Sequence, residues 1–242
     1  MALKHPRLQV IDRLCRAVGR RLSRTSLDLE RMVPGSTAAL AVFEQTLTEA
    51  TSTIQAQLQT AYPQEPTVLA PAAAPTQGWW VELLGAPLNF INNRHPSGLT
   101  LAWFKNGRLE FAAVYILGED ALYAVSRGEG AWGPKQRLRL TDARDLSQPS
   151  LIAGALPSML KTVPATWHCV ATGWPLYDAL QVAEQRVAAA LCADCHPVIT
   201  ALAQLLMVES GGVASRLDGQ PCGPDSTSFI TANSKRHGAV LR

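Results

Sequence analysis

The spacing of apolar residues changes once along this chain, near residue 79, and that change limits what it can fold into. Before it, residues 7–24 read as an amphipathic helix. Leu8, Ile11, Cys15, Val18 and Leu22 fall on one face at helical spacing, and Arg13, Arg16, Arg20 and Arg24 fall on another. Pro34-Gly35 breaks the chain, and Ser36 or Thr37 can cap a second helix running to about Ala61. Its apolar positions are Leu40, Phe43, Leu47, Ile54 and Leu58, and Pro63 stops it. Residues 63–78 form a loop around one short strand at Thr67-Leu69.

Beyond that point the apolar runs become short and rich in β-branched and aromatic residues. They predict strands over 79–84, 98–104, 109–117 and 121–126, with Lys105-Asn106-Gly107 closing a hairpin and Gly118-Glu119-Asp120 joining the next pair. An alternating half follows. It has a strand at 150–154, a helix at 155–161, a strand at 166–172, a helix at 175–185 and a strand at 187–191. A helix at 198–209, strands at 212–217 and 228–232 and a short terminal helix complete it. Two opening helices, an antiparallel stretch and then β/α alternation predict a layered α/β (α+β) fold. The expected halves are 1–145 and 146–242, forming one compact unit.

Composition supports a large core, with 47% of residues hydrophobic and 17% charged. The net charge of +3 is unevenly placed. Residues 1–25 hold seven Lys/Arg against one Asp, so the rest of the chain is acidic on balance. One basic helix on a mildly acidic body argues against a general nucleic-acid binder, which spreads its basic surface. No run reaches the length of a membrane-spanning helix, and no secretory leader is visible. The Arg-rich, acid-poor start also matches an organellar transit peptide. Five cysteines, an odd number, predict reduced thiols in a cytoplasm.

Residues 79–133 carry a specific resemblance. Trp79-Trp80-Val81-Glu82-Leu83-Leu84-Gly85-Ala86-Pro87-Leu88-Asn89-Phe90 resembles the signature loop of inositol monophosphatases, which reads Trp, two apolar residues, then Asp-Pro-(Ile/Leu)-Asp-Gly-Thr-Thr-Asn-Phe. Leu99-Thr100-Leu101-Ala102 is similar to the family's next strand, and Asn106-Gly107 sits at its hairpin. Tyr123-Ala124-Val125-Ser126-Arg127-Gly128-Glu129-Gly130-Ala131-Trp132 is similar to its Gly-x-Gly-Ala-aromatic segment. Glu209-Ser210-Gly211-Gly212, Leu217-Asp218-Gly219 and Ala232-Asn233 resemble the family's second block. The resemblance covers most of residues 36–242 and implies an α-β-α-β-α sandwich of the inositol monophosphatase and fructose-1,6-bisphosphatase type.

It also implies where the chemistry should lie. The family hydrolyses phosphate monoesters using carboxylates that hold two or three Mg²⁺ ions roughly 4 Å apart. Mg²⁺ is hard and takes oxygen ligands. By alignment with the family pattern, the first signature Asp falls on Glu82 and the second on Gly85. The phosphate-cradling Gly-Thr falls on Ala86-Pro87, and Pro87 offers neither hydroxyl nor backbone N–H. The family's Gly-Glu-Glu falls on Leu69-Ala70-Pro71, and the Asp of its Pro-Trp-Asp falls on Ile199. On the substrate side, Gly-Ser-Ala-Ala becomes Gly173-Trp174-Pro175-Leu176, and a family acid falls on Cys192. Of four expected carboxylates only a vestigial Glu82 remains. The resemblance therefore implies no catalytic residue, no bound metal and no cofactor, with a remodelled pocket of Glu82, Ala86, Pro87, Trp174 and Cys192. A shifted register could bring Glu65 or Asp194 to a metal.

Other constellations read as structural. Cys192-Ala193-Asp194-Cys195-His196 matches a haem-attachment pattern and could hold zinc or a redox pair, but no second ligand pair has suitable spacing. His168 and Cys169 are adjacent on a strand and point to opposite faces. Arg94 and His95 fall in a loop, and Trp79, Trp80, Trp103 and Trp132 read as core or edge aromatics.

The leading expectation is a catalytically silent inositol-monophosphatase-like protein acting through binding, as an interaction or assembly subunit. Arg13, Arg16, Arg20 and Arg24 are its candidate contacts for an acidic protein partner, and a homodimer follows from the family. Two alternatives stand beside it. One is a divergent Mg²⁺-dependent phosphatase for inositol phosphate or another small ester. The other is a small-molecule or anion sensor using the remodelled pocket.

Overall fold

A computed structural model describes residues 5–141, 150–154 and 167–241. The expected helix over 155–161 and the expected 145/146 boundary lie outside the described residues. Contacts divide the chain between Ala124 and Val125.

The first unit runs from Leu3 to Ala124. It opens with α1 (Leu8–Leu29) and α2 (Thr37–Ala61). Ser36 caps α2 by accepting from Ala39 N at 3.2 Å. The helix α1 runs five residues past the expected end at Arg24. Its last turns are held by a buried Thr25, whose hydroxyl meets Thr46 of α2 at 3.0 Å, and by buried Leu29. On α2 the buried positions are Ala39, Thr46, Ala50, Ile54 and Leu58, while Leu40 is exposed. Small residues at the crossing let the two helices approach, and Leu40 falls off that stripe.

Short β1 (Thr67–Leu69) runs parallel to β2 (Gly78–Gly85). β3 (Gly98–Lys105) and β4 (Arg108–Ile116) continue the sheet antiparallel, followed by β5 (Ala121–Ser126). Asn106 and Gly107, both at positive φ, make the tight β3–β4 turn. Trp79 and Trp80 are fully buried. Between β2 and β3 lies α3 (Pro87–Ile91), a helix that the apolar spacing does not predict.

The second unit starts at Val125. Residues 125–141 go with it because the hairpin of β6 (Gly130–Trp132) and β7 (Arg137–Leu138) is tied to the helix α5 (Pro197–Ser210). Leu140 N donates to Ser210 O at 2.7 Å. A five-stranded sheet has the order β11-β12-β10-β8-β9. Its strands are β8 (Ser150–Ala153), β9 (Trp167–Val170), β10 (Ala189–Cys192), β11 (Val213–Ser215) and β12 (Phe229–Ala232). β8, β9 and β10 are parallel, and β12 runs antiparallel to β10 and β11. The helices α4 (Pro175–Ala183) and α5 pack with each other, and α6 (Ser234–Val240) places Val240 in a core with Ile152, Trp167, Leu191 and Ile230.

Candidate functional site

In the first unit the loop that resembles the family signature leaves β2 and enters α3. The β2–β3 register shifts between Glu82 and Gly85, as a bulge does, and this ends the regular ladder where the loop begins. Ala86 then adopts a left-handed conformation, φ 56°, and Pro87 occupies the first turn of α3. No side chain caps that helix. Parallel pairing lays the end of β1 against the signature strand, since Ala70 N donates to Val81 O at 2.8 Å. The structure therefore brings Ala70, Glu82, Gly85, Ala86 and Pro87 to one end of β1 and β2. Of these, Glu82 alone carries a side-chain oxygen, and Thr100 of β3 donates to its Oε2 at 3.1 Å. Glu65 serves elsewhere: it pairs with Arg7 at 2.6 Å.

In the second unit the positions that the resemblance assigns to the substrate side lie at the end of β10 and at the starts of α4 and α5. Trp174 is the residue before α4, is buried, and stacks on Tyr177. Cys192 ends β10 and is buried, and Ile199 lies buried in the first turn of α5. The Cys192 thiol is pushed well up by its hydrogen bond with Cys195 and by burial, so it stays protonated. Cys195 sits 3.3 Å from the Thr200 hydroxyl. His196 caps α5, its Nδ1 accepting from Val198 N at 3.2 Å, and Asp194 is exposed. All five cysteines are free, and among the described residues no group of three His, Cys, Asp or Glu is placed to hold a metal.

One titrating group in this region has no sequence signal. Asp178, in the first turn of α4, is almost fully buried, and burial raises its carboxyl to about 6. Thr172 donates to it at 2.6 Å while accepting from Trp174 N at 3.2 Å, so the acid orders the turn that carries Trp174. In the sequence Asp178 looks like any acid at a helix start.

The second motif block is built into the scaffold. Glu209 accepts from Gly128 N at 2.7 Å and Gly130 N at 2.9 Å. Ser210 Oγ donates to Leu206 O at 2.7 Å, and Gly211 closes α5 in the left-handed region, φ 84°. A Cβ on Gly212 would come within 2.5 Å of Leu140 and 3.0 Å of the Ala232 carbonyl. Asp218 accepts from Gln220 N at 3.0 Å. Asn233 caps α6 by accepting from Arg236 N at 2.9 Å.

On α1, Arg13, Arg20 and Arg24 are exposed. Arg16 differs: its guanidinium bonds Asp12 at 2.9 Å and Asp120 at 2.8 Å. His168 and Cys169 both lie exposed on β9, and Arg94 and His95 lie in an exposed loop.

These mixed sheets and flanking helices define the layered α+β fold of the inositol monophosphatases. The Thermotoga maritima enzyme of that name superposes with a TM-score of 0.81 over 98% of this chain and 96% of its own, at 18% identity. The chain is a homologue of inositol monophosphatase and of SuhB. It is 27% identical over 180 residues to the Nus factor SuhB of Escherichia coli K12, covering 67% of each chain. It is 26% identical over 172 residues to inositol monophosphatase 1 of Mus musculus, covering 64% of this chain and 61% of the mouse protein. No family model matches the chain. Among the described residues no helix is long and apolar enough to cross a membrane.

Proposed function

We propose that this chain works by binding, as an interaction or assembly subunit on an inositol monophosphatase scaffold without the hydrolytic chemistry. The observation that carries the reading is the donor set at the family's ligand positions. A methyl at Ala70, a hydrogen at Gly85, a pyrrolidine at Pro87 and a butyl group at Ile199 offer no oxygen to a hard dication. The one carboxylate left, on Glu82, is engaged by Thr100. Such a set does not fit Mg²⁺. Cys192, held as a thiol, does not replace the missing charge. The SuhB relatives are named for a factor and not for a hydrolase, which favours the same reading.

The candidate contact is the basic face of α1 at Arg13, Arg20 and Arg24, facing an acidic protein surface. Arg16 is committed to Asp12 and Asp120 and contributes less. A homodimer remains part of the proposal and is read by light scattering.

The decisive assay incubates pure protein with inositol phosphate and other small phosphate monoesters plus Mg²⁺ or Mn²⁺. The expected result is no turnover above the metal-only background. Metal-dependent turnover that disappears in Glu82→Gln would instead establish a divergent phosphatase.

A further inference from the structure

The second unit contains a cavity of about 280 Å³ lined by Ser150, Leu151, His168, Arg186, Val187, Ala188 and Arg236. Its position in the sheet separates it from the remodelled residues. Ser150 opens β8, His168 is the second residue of β9, and Val187 and Ala188 lead into β10. These three strands are parallel, so the cavity lies at their amino ends. Cys192 is at the carboxyl end of β10 and Trp174 lies beyond that of β9, the side where ligands of open α/β sheets usually bind.

The lining has one sign of charge. Among the described residues it holds two guanidiniums and an imidazole and no carboxylate. Glu184 answers part of the charge of Arg186, at 3.0 Å from its Nε. Arg236 is only 5% exposed, and its guanidinium carbon lies 6.0 Å from the Trp167 ring centre. A cation in such low-polarity surroundings attracts an anion more strongly than one in water. A guanidinium also donates in a fork that matches an oxyanion. The volume is at the small end for ligand pockets.

We propose that this cavity binds the phosphoryl group of a small molecule. Four residues with donor-bearing side chains, Ser150, His168, Arg186 and Arg236, line it. A carboxylate offers two oxygens to such a set, whereas a phosphoryl group offers three. The backbone locks the walls in place, since Ala188 N donates to Leu151 O at 2.6 Å and Leu151 pairs with His168 across β8 and β9. The site does not depend on the reading of the signature loop, because it shares no residue with it.

The test is calorimetric titration of the full chain at low ionic strength with inorganic phosphate, glycerol phosphate and succinate. Saturable binding of phosphate or its ester, and weaker binding of succinate, is expected. A preference for glycerol phosphate over inorganic phosphate assigns the site to esters, and the reverse assigns it to the free ion. Arg186→Gln and His168→Gln sit at the cavity mouth and should each weaken phosphate about tenfold, the size of one charge-assisted hydrogen bond. Arg236→Lys, which keeps the charge but not the fork, should weaken it further. Absence of binding overturns the proposal. So does affinity unchanged in Arg186→Gln and His168→Gln, or affinity that is lost in Trp174→Ser instead.

Discussion

Two stretches inherited from the same pattern have fared differently in this chain. Residues 209–212 match the family's block at Glu209, Gly211 and Gly212, with Ser210 in place of its Ala, and each one supports the scaffold. Glu209 holds two backbone N–H groups, Ser210 bonds back into α5, Gly211 ends the helix, and Gly212 gives room to Leu140 and Ala232. Residues 82–87 differ from the family pattern at Glu82, Gly85, Ala86 and Pro87, and on the proposed reading they no longer hold an ion. The difference separates two reasons for a motif to persist. A residue that satisfies the chain's own backbone is needed for folding whether or not the protein turns anything over. A residue that holds only an ion or a substrate becomes free to change once that ligand is gone.

This contrast can be broken by measurement. Glu209→Ala strands the N–H groups of Gly128 and Gly130, and urea unfolding should show a loss of about 3 kcal/mol, two charge-assisted hydrogen bonds in a half-exposed setting. A loss under 1 kcal/mol would remove the structural explanation for the block.

Asp178 should give the next largest effect, in the opposite direction. Its carboxyl is raised to about 6 in the folded chain, so the folded state holds a proton that the unfolded state releases near pH 4. The contribution is fully present below pH 4 and is lost as pH rises through about 6. Asp178→Asn still accepts from Thr172 and carries no buried charge. It should be more stable than the parent by about 2 kcal/mol at pH 8 and equal to it at pH 4. Parallel pH profiles for the two proteins would contradict this.

Smaller effects complete the comparison. Gly212→Ala must push Leu140 and Met207 aside against a fixed carbonyl, a cost of about 1–2 kcal/mol. Ala86→Gly relieves a left-handed alanine and should gain up to about 1 kcal/mol in thermal or chemical unfolding. Glu82→Gln, like charge reversal of exposed Arg13 and Arg20, should stay within about 0.5 kcal/mol of the parent. Reversal of Arg13, Arg20 and Arg24 together should abolish co-purification of an acidic partner, and an unchanged pull-down rejects that face.

What the sequence disclosed follows the range of the forces involved. The start of α2 and the β3–β4 hairpin were legible because Ser36 and Asn106-Gly107 act within a few residues. The end of α1 was not, because Thr25 interrupts the apolar face with a hydroxyl whose partner, Thr46, lies on another helix. The β6–β7 hairpin and α3 are too short to show a period. Among site residues, Glu82 could be aligned from the signature loop and Ala70 from its spacing after Tyr62-Pro63, and β-pairing then set the two segments side by side. Asp178 could not be singled out, since its burial comes from packing. The cavity around Arg236 joins residues up to 86 positions apart, which no local pattern reports.

Arg7 stands at the start of α1 with its guanidinium 3.9 Å from the Trp103 ring centre and 4.7 Å from that of Tyr62, and it pairs with Glu65. Through one side chain, the first turn of the helix is clasped by the end of α2 and by a strand of the sheet. If the arginine face of α1 is the contact proposed above, its partner meets a surface already arranged, and association spends little of its free energy on ordering the helix. Loosening that clasp, as Arg7→Ala would, should slow the capture of an acidic ligand without removing one of the charges that attract it on the outer face.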